Sequence, residues 1–286
     1  MINKYIIPSL LIYFIFISGF SYAQQEKEIV MMSYNIRMDT PVDGINTWDK
    51  RKARLTAFVL EQGPDILGVQ EALPGQMHYL QSQMPDFSYV GVGREDGLEK
   101  GEFSAIFYNH QRFILLDKGN FWLSQTPEVP GSMGWDAACT RICSWAKLQN
   151  RQTKGVFFVF NTHWDHMGVL ARENSASLIT RKIKEIAGKS PVMLSGDFNC
   201  TDTSKAMQTL LKGKPQLTST RNLVKPEGPD YSFAGFLVGG EKGDLIDHIF
   251  LSKDIQALSY RISDKSYEGN YLSDHFPVIV KLRLPK

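Results

Sequence analysis

An α/β fold, with two sheets packed face to face and helices outside, is what this chain predicts, and three observations predict it. Short apolar runs rich in Val, Ile, Phe and Tyr recur from residue 29 to residue 284; segments with helical spacing stand between them; and both halves of the chain alternate the two patterns rather than segregating them. No internal repeat, low-complexity stretch or Pro-rich linker follows residue 24, so a single domain over residues 24–286 is expected. With 286 residues, 43% apolar and 22% charged, there is chain enough for one large core.

The elements follow in order. Lys4, the apolar run Ile6 to Ile17 and the small residues Ser21 and Ala23 form a secretory signal over residues 1–23, cut after Ala23. That run is shorter than the roughly 20 residues of a spanning helix, and no Cys follows it to carry a lipid. The expectation is an exported protein, periplasmic or extracellular, with no stable membrane insertion. Ile29 to Tyr34 reads as a buried strand, Trp48 to Glu61 as a helix stopped by Gly63-Pro64, Asp65 to Gln70 as a strand and Gln76 to Met84 as a short helix. Tyr89–Val92, Ser104–Tyr108 and Phe113–Leu116 are strands separated by Gly, Asn and Asp turns. In the second half, Arg141–Leu148 and Val156–Phe160 are strands, Val169–Ala187 a helix, Pro191–Ser195 a strand and Ser204–Leu211 a short helix. Leu245–Leu251 and Phe276–Leu284 close the chain as strands; Lys225–Pro229 and Val238–Gly243 are loops placed to shape a substrate mouth.

Charge and cysteines narrow the function. Lys4 leaves with the signal, so the remaining 31 basic and 30 acidic residues give about +1, which argues against a broad basic face for nucleic acid. Cys139, Cys143 and Cys200 are odd in number. On one extended strand, Cys139 and Cys143 would stand roughly 13 Å apart, too far for a bridge, so they read as core thiols unless that segment turns back. The sequon Asn199-Cys200-Thr201 falls inside the proposed site and is read as accidental.

Chemistry concentrates at four polar stations beside apolar runs: Asn35, Glu71, Gly196-Asp197-Phe198-Asn199 and Ser273-Asp274-His275. Asn35 and Glu71 end their strands in oxygen donors suited to a hard cation, which takes one or two carboxylates plus water and substrate oxygens. Asp197 and Asn199, two residues apart, can face one side, where one holds or deprotonates a water that the other orients. His163 ends an apolar strand and can donate to a phosphate oxygen. Asp247 is a carboxylate inside a strand, costly unless paired, and its natural partner is an imidazole kept cationic. Arg37, Arg94 and Arg141 can each grip phosphate through a planar fork. Asp165 and His166 stand where they can meet substrate or a second metal or else bond locally, and Trp48 and Trp164 are candidates for stacking on a base or sugar against the commoner reading of packing.

These stations, in this order, resemble the endonuclease/exonuclease/phosphatase superfamily of Mg²⁺-dependent phosphoesterases from about Ile29 to Leu284. The resemblance implies a four-layered α/β sandwich with two mixed sheets and the site at their top. It implies that Asn35 and Glu71 bind metal, with Asp274 an outer ligand, and that His163, Asp197, Asn199, Asp247 and His275 are catalytic. Asp247 would orient His275, Glu102 would pair with His163, and Arg141 would lie near the phosphate. Arg37, Glu102, Arg141, Asp165 and His166 complete the expected substrate-binding and supporting set, with Mg²⁺ or Mn²⁺ as cofactor. The motif Gly93-Arg94-Glu95-Asp96-Gly97, with Asn161-Thr162-His163-Trp164-Asp165-His166, resembles a bacterial branch of metal-dependent hydrolases. The expected protein is a monomeric phosphodiesterase or phosphatase working by in-line attack of water. A nuclease is the rival within the class, less favoured because no basic or aromatic DNA-reading loop is found, and an inactive binding protein of the same fold is the rival outside it. Which group takes the water's proton is left open by the sequence.

Overall fold

The computed structural model describes residues 28–240 and 242–285; the expected secretory signal over residues 1–23 lies outside the described residues. The strands and helices are β1 (Glu28–Asn35), α1 (Trp48–Gln62), β2 (Ile66–Ala72), α2 (Pro74–Gln83), β3 (Phe87–Val90), β4 (Phe103–Asn109), β5 (Phe113–Trp122), β6 (Ile142–Asn150), β7 (Val156–His163), α3 (Val169–Ala187), β8 (Val192–Asp197), α4 (Lys205–Lys212), β9 (Leu217–Ser219), β10 (Pro226–Glu227), β11 (Asp247–Ser252), β12 (Gln256–Ile262), β13 (Ser266–Tyr267), β14 (Asn270–Tyr271) and β15 (Val278–Arg283). One sheet runs β10-β12-β15-β1-β2-β4-β3 and the other β5-β6-β7-β8-β11-β9. Both are mixed: β1 pairs parallel with β2 and antiparallel with β15, and β8 pairs parallel with β7 and antiparallel with β11.

Period-two alternation explains the four layers. Along β1, Ile29 and Met31 point into the core between the sheets, while Met32 turns outward to a second core holding Leu55, Phe58 and Val59 of α1 and Met77 and Leu80 of α2. Along β7, Phe157 and Val159 face inward, whereas Phe158 and Phe160 meet Ala176, Ile179 and Ile183 of α3 and Met207 and Leu210 of α4. Strands apolar on both faces are buried on both faces. The helix ends obey local chemistry. Gly63 closes α1 at φ +60°, Pro74 begins α2, and the Ser204 hydroxyl accepts the Met207 N–H at the start of α4.

Between the sheets, below the site, lies a buried polar knot. Gln70 Nε2 donates to Asn161 Oδ1 at 2.7 Å, the Ser195 hydroxyl donates to the same oxygen at 3.0 Å, and Asn161 Nδ2 donates to the carbonyls of Val69 and Ala105. Gly68 makes room for it, since a Cβ there would stand 2.7 Å from both Asn161 Oδ1 and Ser195 Oγ. Because these groups satisfy one another only in this register, the knot ties β2 and β4 of one sheet to β7 and β8 of the other.

Several elements differ from the sequence reading, among them the short strands β9, β13 and β14, which it does not contain. β5 continues to Trp122 through the exposed Asp117 and Lys118, because it is an edge strand with little to bury there. β12, in a half-exposed stretch, was not expected at all. Lys225–Pro229 contains β10, an edge strand pairing with β12, and does not line the pocket. Among the described residues, no helix is long and apolar enough to cross a membrane.

Candidate active site

Sheet register assembles the floor of the site. His163 ends β7 opposite Asp197 at the end of β8, and Asp197 stands opposite Asp247 at the start of β11, so three neighbouring strands of one sheet deliver three ionisable groups to one rim. The other sheet contributes Asn35 from the end of β1 and Glu71 from β2, where a register shift between Val69 and Ala72 breaks the ladder. Asp274 and His275 arrive just before β15. Together with Arg37, Arg94, Glu102, Arg141, His166 and Asn199, they line an open pocket of about 870 Å³.

The floor is one hydrogen-bonded chain. Asn35 Nδ2 donates to Glu71 Oε1 and to Asp197 Oδ2, both at 2.9 Å, and lies 3.4 Å from His275 Nε2. Its own oxygen accepts the Arg37 N–H at 3.0 Å. His275 Nδ1 meets Asp247 Oδ2 at 2.8 Å. Ser273 donates its hydroxyl to the Asn35 carbonyl, and the Ser232 hydroxyl accepts the N–H groups of Ile246 and Asp247. Arg37, Glu71 and Asn199 all take left-handed backbone angles, with φ of 56°, 62° and 47°. Three such non-glycine residues around one pocket mark a place where the fold holds strained backbone for the sake of side-chain direction.

Electrostatics separates the two histidines. Burial opposes the cationic form of His275, but the neighbouring Asp247 and Asp197 outweigh it and hold His275 well above the usual imidazole range. His163 is pushed well below that range, first by burial and then by the guanidinium groups of Arg141 and Arg94. Burial and the nearby Asp247 charge push Asp197 up to about 7, and burial also raises Asp274 and Glu102.

The remaining expected residues fall into place unevenly. Asn199 Nδ2 donates to the Trp164 carbonyl and lies 3.0 Å from His163 Nε2. Glu102 stands 3.8 Å from His163 Nδ1, beyond hydrogen-bond reach, and is held by Arg94 Nη1 at 2.7 Å. Arg37 forks onto Asp43 at 3.0 and 3.1 Å, with Glu71 and Asp274 each 3.7 Å away. Asp165 organises loops: its carboxylate accepts the N–H groups of Ala138, Met167 and Gly168. Those backbone bonds overcome burial and bring it down to about 2. It also lies 3.4 Å from Arg141 Nε, while Arg141 Nη2 meets His166 Nδ1 at 2.9 Å. Arg141 is only 5% exposed, and its Nη1 is a buried donor without a hydrogen-bond partner on the pocket wall.

The structure decides between readings the sequence left open. Trp48 and Trp164 are buried in the cores, Trp48 edge-on to Tyr79 and Trp164 edge-on to Phe198, so neither faces substrate. The Trp164 N–H bonds the Asp197 carbonyl, which extends the strand pairing one residue and turns the indole toward the helices. Cys143 is a core thiol, but Cys139 lies in the loop before β6, on the pocket wall beside Asp165; all three cysteines are free. Phe233 and Asp244 also line the pocket, and the sequence reading gave neither a role in it; Arg94, Glu102 and Gly243 of the expected Val238–Gly243 mouth loop line it too, with Arg94 and Glu102 paired to each other. The glycines around Phe233 were the available signal for a shaped loop.

Among the described residues, two groups of side chains have donor geometry for a metal: Glu71, Asp197 and His275, and separately Cys139, Asp165 and His166, each set within 4.8 Å. The first is oxygen-rich and lies on the floor. In the second, Asp165 is already taken by Arg141 and backbone N–H groups, and a guanidinium beside a cation opposes its binding.

A mixed-sheet sandwich with carboxylates, amides and imidazoles converging at its strand ends defines the class of protein. The sequence matches the Endonuclease/Exonuclease/phosphatase family over residues 32–275, and the chain belongs to that family, whose members are hydrolases acting on phosphoesters. It is similar to the solved endonuclease/exonuclease/phosphatase of Bacteroides vulgatus, at 36% identity and a TM-score of 0.84, covering 90% of this chain and 99% of that one. It is also similar to a mannosyl-6-phosphatase of Bacteroides thetaiotaomicron, at 35% identity and a TM-score of 0.82, covering 89% and 99%. The human Nocturnin catalytic domain, with bound sulfate, shares the fold at 19% identity and a TM-score of 0.71, over 90% of this chain and 93% of that one.

Proposed function

We propose that this protein is a divalent-metal-dependent phosphatase that hydrolyses a compact organic phosphate, a sugar phosphate being the favoured class. The observation that carries the reading is Arg141, a buried guanidinium with an unpaired donor on the wall of the pocket whose floor holds Asp197 and His275. A buried cation with a free N–H fits an anionic oxygen, and the bidentate geometry of arginine suits phosphate. Likeness to a mannosyl-6-phosphatase supports the sugar class.

The donor set fits a hard cation, since Glu71, Asp197 and the nearby Asp274 supply oxygen and no sulfur enters the floor. Glu71 and Asn35 would hold it, with Asp274 further out, and Asn35 Oδ1 would exchange its bond to the Arg37 N–H for this purpose. Bound there, Mg²⁺ or Mn²⁺ supplies charge neutralisation at a phosphoryl oxygen. The chain's own residues do the rest. Asp197 accepts a hydrogen bond from a water that Asn199 helps to orient for in-line attack. His275, oriented and kept cationic by Asp247, stabilises charge building on phosphorus-bound oxygen. Arg141 and His163 hold the other oxygens from the wall. The leader at residues 1–23 supports action outside the cytoplasm, with residues 24–286 as one catalytic domain.

The test is a panel of hexose 6-phosphates, a phosphodiester and polymeric DNA and RNA, each with Mg²⁺ or Mn²⁺ at low and physiological salt. Release of inorganic phosphate from a hexose phosphate, with weak salt dependence, is expected. Rapid polymer cleavage with a steep log-log salt slope would replace this reading with a nuclease.

A further inference from the structure

Beside the phosphoryl pocket lies a second groove of about 350 Å³, lined by Phe233, Ala234, Phe236, Leu237 and Lys242 with three glycines. The two spaces are neighbours, with Phe233 and Gly243 forming walls of both. Phe233 is 41% exposed yet packs edge-on against the His275 ring at a centroid distance of 5.1 Å, so it is the partition between the reacting end and the groove.

The groove is firmly built. Phe233 N–H donates to the Asp244 carbonyl and Gly243 N–H to the Phe233 carbonyl, closing the loop at its base. The N–H groups of Ala234 and Gly235 both donate to the Asp274 carbonyl, and Tyr271 N–H donates to that of Phe236. These bonds fix the loop to the same segment that carries Asp274 and His275.

Its chemistry is apolar. Among the described lining residues Lys242 is the charged one, and its ammonium lies 5.7 Å from the Tyr231 ring centre, a cation–π distance that draws it toward that ring. What the groove offers a ligand is aromatic and aliphatic surface, continued outward by Leu237 at 65% exposure. Large exposed apolar side chains at the mouth of a polar pocket are a recognition surface more often than an accident.

We propose that this groove is a subsite for an apolar substituent, aryl or short alkyl, carried by the alcohol that leaves when the phosphoester is hydrolysed. The proposal rests on the phosphatase reading above and specifies its substrate: a phosphorylated polar unit that bears an apolar group. Water's oxygen bonds phosphorus as the ester P–O bond breaks, one water proton ends on the departing oxygen, and the alcohol so formed keeps the substituent seated beyond Phe233 while inorganic phosphate is left behind. Placing the group there removes apolar surface from water in the ground and transition states alike, so the gain falls on kcat/KM through KM.

The test compares methyl and phenyl glucoside 6-phosphates with the Mg²⁺- or Mn²⁺-loaded full-length protein and with its Leu237→Asp variant. Leu237 is exposed and outside the catalytic set, so the variant is expected to fold and to cleave the methyl compound at the wild-type rate. In the wild type, the phenyl compound is expected to show a kcat/KM about tenfold higher, equivalent to about 1.4 kcal/mol, and the variant to lose most of that preference. Equal kcat/KM for the two esters in the wild type would overturn the subsite alone. An undiminished phenyl preference in Leu237→Asp would show that the group sits elsewhere and would also overturn it. Failure to cleave either ester, or any other phosphoester, would overturn the phosphatase reading beneath it.

Discussion

The floor of the pocket is made of residues at the ends of central strands, whereas its rim is made of loops. Asn35, Glu71, Asp197 and Asp247 stand at the ends of β1, β2, β8 and β11, and their spacing is set by sheet register and by the Gln70–Asn161–Ser195 knot beneath them. Arg141, Asp165, His166 and the Phe233–Asp244 loop are set by turns and by one another. The difference divides labour: rigid strand ends fix the geometry of a reaction, and loops choose what reaches it.

Breaking the floor should have the largest effect. His275→Ala and Asp197→Asn are each expected to lower single-turnover rates by about 10² to 10³, the scale for removing a charge-stabilising group or a water-positioning carboxylate. Near-normal rates in either variant would remove that residue from the chemistry. Below the floor, burial pushes His248 down to about 4 from its ordinary 6.5. Its folded value lies below its unfolded value, so the unfolded chain binds a proton first. Stability present above about pH 6.5 is therefore lost as pH falls toward 4, by at most about 3 kcal/mol. Urea unfolding at several pH values checks this, and His248→Phe should flatten that acid limb; an unchanged limb would assign the loss to other groups.

The same contrast decides how much the sequence could reveal. Floor residues were legible because each ends an apolar run of strand length, so one chemical residue stands out against Val, Ile and Phe. The long helix over Val169–Ala187 was legible from its spacing, and its ends agree with the structure. Rim residues had no such background. Phe233 and Asp244 lie in an aperiodic loop, and the Arg94–Glu102 pair depends on a turn that bends the chain back on itself. β12 was missed because a strand covered on one side reads as polar sequence. Trp164 takes the packing role that is commoner for an aromatic near a rim, because the strand pairing continues past His163 and turns it inward.

Milder changes sharpen the comparison. Glu71→Gln should weaken Mg²⁺ binding at least about tenfold by calorimetry while leaving the fold intact, since it removes a carboxylate charge from the proposed cation site and keeps the side chain's size and an oxygen acceptor for the Asn35 and Met38 donors. Unchanged affinity would move the cation elsewhere on the floor. On the wall, Arg141→Lys keeps the charge but loses the planar fork. It should raise KM for a sugar phosphate by several-fold to about tenfold and change kcat less. A fall in kcat as large as that of His275→Ala would erase the distinction between wall and floor.

The most direct measurement is inorganic phosphate release from a hexose 6-phosphate by the full-length protein, with Mg²⁺ or Mn²⁺ and again with excess chelator, alongside Asp197→Asn. The account predicts turnover that the chelator abolishes, that added metal restores, and that the variant lacks under all conditions. Turnover that persists in chelator, or is retained in Asp197→Asn, would contradict it.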